Sequence, residues 1–252
     1  MRKGTTMGST VIPLTEGRSG AAATKGRILD AAETLFMEHG FEATSLRAIT
    51  AAADANLAAV NYHFGSKEEL FEAVLTRRLD PMNQRRVALL TELERDAGEH
   101  AVASDRVLYA MILPALELAR DPARGGSNFL RLLGRAYADP APFIRRFLSE
   151  HYAEMIARFK AAFARALPHL PRRELSWRLH FIMGALSYTL AGTDALKLIH
   201  EIAPSEDGTN DELLLRRLAP FLLGGLTAPL ADLDEAAGEL DGAPGTPPGP
   251  SR

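Results

Sequence analysis

Residues 25–75 read KGRILDAAETLFMEHGFEATSLRAITAAADANLAAVNYHFGSKEELFEAVL, and this stretch decides the fold. Ile28, Ala32, Leu35 and Phe36 recur at helical spacing, and Gly40 supplies a stop, so a first helix ends there. A second, short helix follows Thr44, with Leu46, Ile49 and Ala53 on one face. Residues 54–56 form a turn, and a third short helix covers about Leu57 to Phe64. Ser66-Lys67-Glu68-Glu69 is a capping box: the Ser side chain and the Glu three residues on are expected to close on each other's backbone N–H. It opens a fourth helix with Leu70, Phe71, Val74 and Leu75 as its buried stripe. Pro81 is expected to end or kink that helix.

Three short helices with a tight turn between the second and third have the geometry of a helix-turn-helix. In such a unit the second helix crosses the DNA backbone and the third lies in the major groove. Periodicity alone gives only a small three-helix unit, and most such units do not bind DNA. The residues sharpen the reading. Ala32-x-x-Leu35-Phe36, Gly40-Phe41, the Thr at the second helix, Tyr62-His63-Phe64 and Gly65-Ser66-Lys67-Glu68-Glu69-Leu70-Phe71 occur in one order and spacing. Over about residues 24–80 the chain resembles the DNA-binding domain of the TetR family of regulators.

The resemblance implies roles for particular positions. Thr44 and Ser45 would contact phosphate at the start of the second helix, and Arg47 is placed with them. Tyr62 and His63 would contact the backbone from the end of the third helix. Lys67 would meet a phosphate beside the N-terminus of the fourth, where exposed N–H groups also favour an anion. Such contacts position a protein without reading sequence. Base reading would fall to Asn56, Leu57, Ala58 and Asn61. The family often has an aromatic residue where this chain has Asn61, and Asn can pair bidentately with adenine, worth roughly 1–3 kcal/mol of discrimination. Leu57, Ala58, Ala59 and Val60 can touch thymine methyls but cannot pair with guanine. Recognition is therefore expected to lean on Asn61, thymine contacts and DNA shape.

The rest of the chain gives longer helical patterns at about 105–120, 127–138, 142–166, 172–200 and 211–230. No alternating strand pattern and no fixed repeat occurs. The expected fold is all-α with about nine helices. It comprises an N-terminal helix-turn-helix domain over 23–80 and a larger helical effector-binding and dimerisation domain over 81–231. Residues 1–22, rich in Gly, Ser and Thr, read as a mobile arm. Residues 232–252, ending in Gly-Thr-Pro-Pro-Gly-Pro before Ser251, read as a disordered tail.

In the pattern at 142–166, Phe143, Phe147, Tyr152, Ile156, Phe159 and Phe163 fall near one face. Each alone is ordinary core, but Phe129, Phe143, Phe147, Tyr152 and Phe159 together suggest that any effector cavity would be apolar. Trp177 reads as packing. Phe181, Gly184, Ala185, Tyr188, Ala191, Gly192 and Ala195 form a band of small and aromatic residues on one late helix. Leu214, Leu218, Phe221, Leu222 and Gly225 line a face of the last. The resemblance implies that these two helices from each of two subunits form a four-helix bundle.

Composition bounds the partners. The net charge is −3, and residues 24–70 hold four cations against seven acids, an awkward balance for a surface that meets DNA. The acids are expected on the far faces of the first and fourth helices, with Arg2, Lys3 and Arg18 adding charge from the arm. No cysteine occurs, which excludes disulfides and Cys-ligated zinc. His151, His169, His180 and His200 lack metal-ligand spacing with Asp or Glu. No signal peptide and no apolar run of membrane length is present, so a cytoplasmic location is expected. No phosphate-cradling loop, no nucleophile with a base and no cofactor motif occurs, so no enzyme is expected. The functional expectation is a repressor that binds a palindromic operator as a homodimer and is released by an apolar small molecule. Two alternatives stay open: a ligand-dependent activator, and a ligand-binding or adaptor protein of the same fold that has lost operator binding.

Overall fold

The computed structural model describes residues 15–121, 126–138, 141–190 and 210–230. They form ten helices and no strand: α1 (Thr15–Ala43), α2 (Leu46–Ala52), α3 (Leu57–Phe64), α4 (Lys67–Ala97), α5 (Ser104–Ala119), α6 (Gly126–Ala138), α7 (Pro142–His151), α8 (Ala153–Ala166), α9 (Arg172–Leu190) and α10 (Asn210–Thr227). The all-α expectation holds. Among the described residues no helix is long and apolar enough to cross a membrane.

Three boundaries differ from the sequence reading. α1 begins at Thr15, so residues 15–22 are helical; Ala21, Ala22 and Ala23 are the best helix formers. The first fourteen residues and the tail at 231–252 lie outside the described residues. α4 runs through Pro81 to Ala97 rather than ending there, because Pro81 sits on the exposed side, where water can meet the carbonyl it frees. The expected helix at 142–166 is two helices, broken at Tyr152 (φ −109°, ψ 16°). No Gly or Pro marks this break. It coincides with the buried Tyr152 donating its hydroxyl to Asp80 Oδ1 at 3.0 Å. The ten helices in place of about nine follow from that break. α1 is itself interrupted at Gly40, whose φ of 79° no longer fits the helix.

Two apolar cores form. The first joins α1–α3 and the first half of α4 to α6, α7 and the end of α5, with Phe36, Phe71, Leu79, Phe129 and Leu133 near its middle. The second gathers Leu90 of α4 with α5, α8, α9 and α10, around Val107, Phe163, Leu175 and Leu226. The packing thus does not divide at residue 80. Phe143 of α7 enters the head's aromatic group, 4.7 Å from Phe41 and 6.1 Å from Phe71 between ring centroids. Arg135 of α6 donates to the Met37 carbonyl of α1 at 3.1 Å.

A buried ion cluster fixes α1 on α4. The Glu33 side chain is 4% exposed and accepts from Arg77 Nη2 at 2.6 Å and from Arg78 Nε at 2.9 Å. Asp30 takes the other side of Arg77 at 2.7 Å. Removing one member of a buried pair strands the rest. Glu33→Ala is expected to lower the unfolding free energy by about 3 kcal/mol in urea titration; a loss below about 0.5 kcal/mol would mark the cluster as a surface pair.

Candidate nucleic-acid interface

The turn between α2 and α3 is held from outside itself. Ala53 caps α2, and Asp54 takes a positive φ of 45°, a conformation that Asp tolerates better than most residues. Arg27 of α1 donates through Nε to the Ala53 carbonyl at 3.0 Å and through Nη2 to the Asp54 carbonyl at 3.3 Å. Ala55 N–H donates to the Thr50 carbonyl at 3.0 Å, and Asn56 then caps α3 by accepting from Ala59 N–H at 2.8 Å.

α3 buries Val60 and Phe64 and turns its other side outward. Leu57 is 47% and Tyr62 82% exposed, with Ala58 and Asn61 exposed beside them. His63 lies half-buried at the helix end, edge-on to Tyr62 with centroids 5.0 Å apart. Asn61 presents a whole carboxamide. Asn56 does not: its oxygen is spent on the cap, leaving only the amide N–H donors to face outward.

Around α3 the backbone-contact candidates separate. Ser45 is exposed but its hydroxyl caps α2, accepting from Ala48 N–H at 3.1 Å; Arg47 is exposed. Lys67 starts α4 with its ammonium 4.2 Å from the Phe41 ring centroid and 3.4 Å from the Glu42 carbonyl, which holds it beside the α1–α2 corner. Thr44 is the correction. It is 2% exposed, and its hydroxyl lies 2.7 Å from the Gly40 carbonyl and 3.1 Å from that of Leu35. It ties the corner together rather than facing a phosphate. The capping box is also only half made: Ser66 accepts from Glu69 N–H at 3.0 Å, while Ser66 N–H donates to the Phe64 carbonyl. Gly65 between them has φ 81°, and the Glu69 carboxylate occupies the space a Cβ would need.

Sequence reasoning passed over Lys25, whose ammonium lies 5.6 Å from the Phe64 ring at the end of α3. It also passed over Arg27 as the staple of the turn. The acid excess is partly resolved, since Asp30 and Glu33 are neutralised by Arg77 and Arg78 on the α4 side.

Of the aromatic residues expected around one cavity, four come together in one core and Phe159 does not. Phe129 and Tyr152 belong to the first core with Phe143 and Phe147 packed on it, while Phe159 belongs to the second. Burial and the Asp80 hydrogen bond push the Tyr152 hydroxyl above its ordinary pKa, so it stays a donor. Burial and Glu69 likewise raise the Glu72 carboxyl, against the lowering effect of Arg146 and His151.

On the late helices, Phe181 (64% exposed), Tyr188 and Phe221 stand out with Gly184 and Gly225 exposed beside them, and Ala185 and Leu218 are half-buried. Leu222 is a correction: it is 2% exposed and belongs to the chain's own second core. Trp177 is another: it is 50% exposed and stacks on Phe181, centroids 5.9 Å apart. Its spacing of four from Phe181 already placed it on that face. Gly192 lies outside the described residues, as does the side chain of Leu214. Arg178 joins α9 to α10, donating to the carbonyls of Leu226 at 2.9 Å and Pro229 at 3.1 Å.

Comparison with known proteins agrees with this architecture. Residues 28–74 match the family described as bacterial regulatory proteins, tetR family, and residues 109–225 match the tetracyclin repressor-like C-terminal domain. The HTH-type transcriptional repressor KstR2 of Rhodococcus jostii (strain RHA1) is 36% identical over 70 residues, 28% of this chain and 34% of that protein. The matched stretch thus spans about a third of the curated relative's length. The SmeT–triclosan complex superposes with a TM-score of 0.52 at 22% identity, covering 83% of this chain and all of that one. A HlyIIR mutant protein does so with 0.51 at 18% identity and the same coverages.

The placement of Thr44 gives a test. Thr44→Val keeps the shape but leaves two carbonyls without their donor, so unfolding should cost about 1–2 kcal/mol less by urea titration. Were Thr44 a phosphate ligand instead, stability would be unchanged and only DNA affinity would fall.

Proposed function

The chain belongs to the TetR family of bacterial regulators, and from that premise we propose that it is a repressor that binds a palindromic operator as a homodimer and is released by a small molecule. The observation that carries the reading is α3: an exposed face of Leu57, Ala58, Asn61 and Tyr62 on a helix whose entry turn is stapled by Arg27. Asn61 would read adenine, Leu57 and Ala58 would meet thymine methyls, and the amide N–H of Asn56 adds a donor. Ser45, Arg47, Tyr62, His63 and Lys67 would hold the phosphates, with Lys25 added to them.

Trp177, Phe181, Tyr188 and Phe221 supply the dimer surface, together with Gly184 and Gly225, where helices can approach closely. An isologous contact of this kind gives a two-fold axis, and two reading helices about 34 Å apart then match a palindrome. The effector would enter the helical body. SmeT was solved with triclosan, and a largely apolar molecule is the class proposed here. Release by a factor of 100 requires about 2.7 kcal/mol of differential binding, and by linkage DNA weakens the effector equally. The role needs no metal, cofactor or catalytic step, and it places the protein with the chromosome in the cytoplasm. A second reading, an adaptor that has lost operator binding, is favoured by one observation: the head still carries an excess of acids after Asp30 and Glu33 are paired.

Selection of bound duplexes from a random pool tests the proposal. The expected outcome is an enriched palindrome with adenines and thymines in each half-site. Asn61→Ala should lose roughly tenfold or more in affinity for it, matching about 1–3 kcal/mol for a bidentate base contact. A folded protein that enriches no sequence supports the adaptor instead. An enriched palindrome bound only with effector present supports an activator.

A further inference from the structure

Arginines enclosed by this protein carry carboxylates. Arg77 and Arg78 share Glu33, Arg158 meets Glu94 at 2.7 Å, and Arg178 meets Glu174 at 2.8 Å. Arg86 is different. Its Nε donates to the Met111 carbonyl of α5 at 2.8 Å and its Nη1 to Oδ1 of the buried Asn83 at 2.9 Å. Tyr137 of α6 hydrogen-bonds it as well, and desolvation lowers its pKa from the ordinary arginine value, with Tyr137 acting the other way. Every one of these partners is neutral, and among the described residues no carboxylate pairs with it.

Neutral hydrogen bonds satisfy donors but do not compensate a desolvated charge. Desolvated charges of this kind cluster at functional sites, where a ligand can supply the opposite sign. The position is a boundary between the two cores. Along α4, Met82 belongs to the first core and Leu90 to the second, and Arg86 lies between them. Tyr137 packs on the first core; Met111 and Leu89 pack on the second. All three, like Arg86, keep part of their surface accessible. Apolar walls with one oriented polar group are the usual form of a small-molecule site. The partners above also leave some guanidinium N–H donors over, and its planar fork matches a carboxylate.

We propose that Arg86 anchors the anionic end of the effector, an organic carboxylate whose apolar part lies along the seam between the two cores. This rests on the ligand-responsive reading above and adds the ligand's chemical class. A molecule seated there bears on α5 through Met111 and on α6 through Tyr137. α6 in turn holds α1 through the Arg135 bond to Met37.

The test is calorimetric titration of the full chain with decanoate and with 1-decanol, using the unmodified protein, Arg86→Gln and Arg86→Lys. Decanoate should bind at least tenfold tighter than 1-decanol. Arg86→Gln should lose that preference, and Arg86→Lys should keep part of it. Equal binding of acid and alcohol, no binding of decanoate, or an undiminished preference in Arg86→Gln would overturn the proposal. Should Arg86→Gln fail to fold, equal binding of acid and alcohol by the unmodified protein, or a preference undiminished in Arg86→Lys, would still overturn the proposal. Failure here is separable from failure of the repressor reading: an uncharged molecule that releases the chain from DNA overturns this proposal alone. A chain that binds decanoate through Arg86 but enriches no duplex overturns the other alone.

Discussion

The Glu33 carboxylate, enclosed between Arg77 and Arg78, is the contact on which the rest of the structure depends. A buried carboxylate must be paired, and here its two partners are neighbours on one helix. That requirement, together with the buried Ile28, Ala32 and Phe36, sets the position of α1 along α4. α1 in turn carries Arg27, which staples the α2–α3 turn, and the Gly40 break that leads into Thr44. The attitude of α3 therefore follows from where α1 sits on α4.

α4 also belongs to both cores. The head is packed with α6 and α7 through Phe143 and Arg135, so it is not a pendant joined by one helix. The discontinuity in packing falls farther along α4, around Asn83 and Arg86, where polar groups interrupt the apolar stripe. Packed cores resist continuous deformation, so a change at that seam is passed on as a shift of whole elements.

Much of the head was legible because its signals are local. α2, α3 and the start of α4 are each opened by Ser45, Asn56 and Ser66 side-chain caps, and their apolar positions recur at helical spacing. What failed depended on partners distant in sequence. Pro81 reads as a stop, yet α4 continues because both cores bury its two halves. Nothing around Tyr152 predicts a break, which coincides with a bond to Asp80, 72 residues away. Thr44 has the composition of a phosphate ligand, but its hydroxyl turns inward to carbonyls of α1. On α10, Phe221 and Leu222 are adjacent and equally apolar; only the position of α9 and α5 decides that the first is exposed and the second buried. Arg86 gives no sequence signal at all, because an unpaired interior charge is visible only once its neighbours are known.

The most direct measurement is the salt dependence of binding to duplex DNA. Neutralising each phosphate gives a slope of log affinity against log salt of about −0.9. With Lys25, Arg47 and Lys67 in each of two heads neutralising phosphates, a slope of about −5 is expected. Binding that is absent at low salt, or indifferent to salt, would contradict the assignment of α3 and its surroundings as a DNA-reading surface.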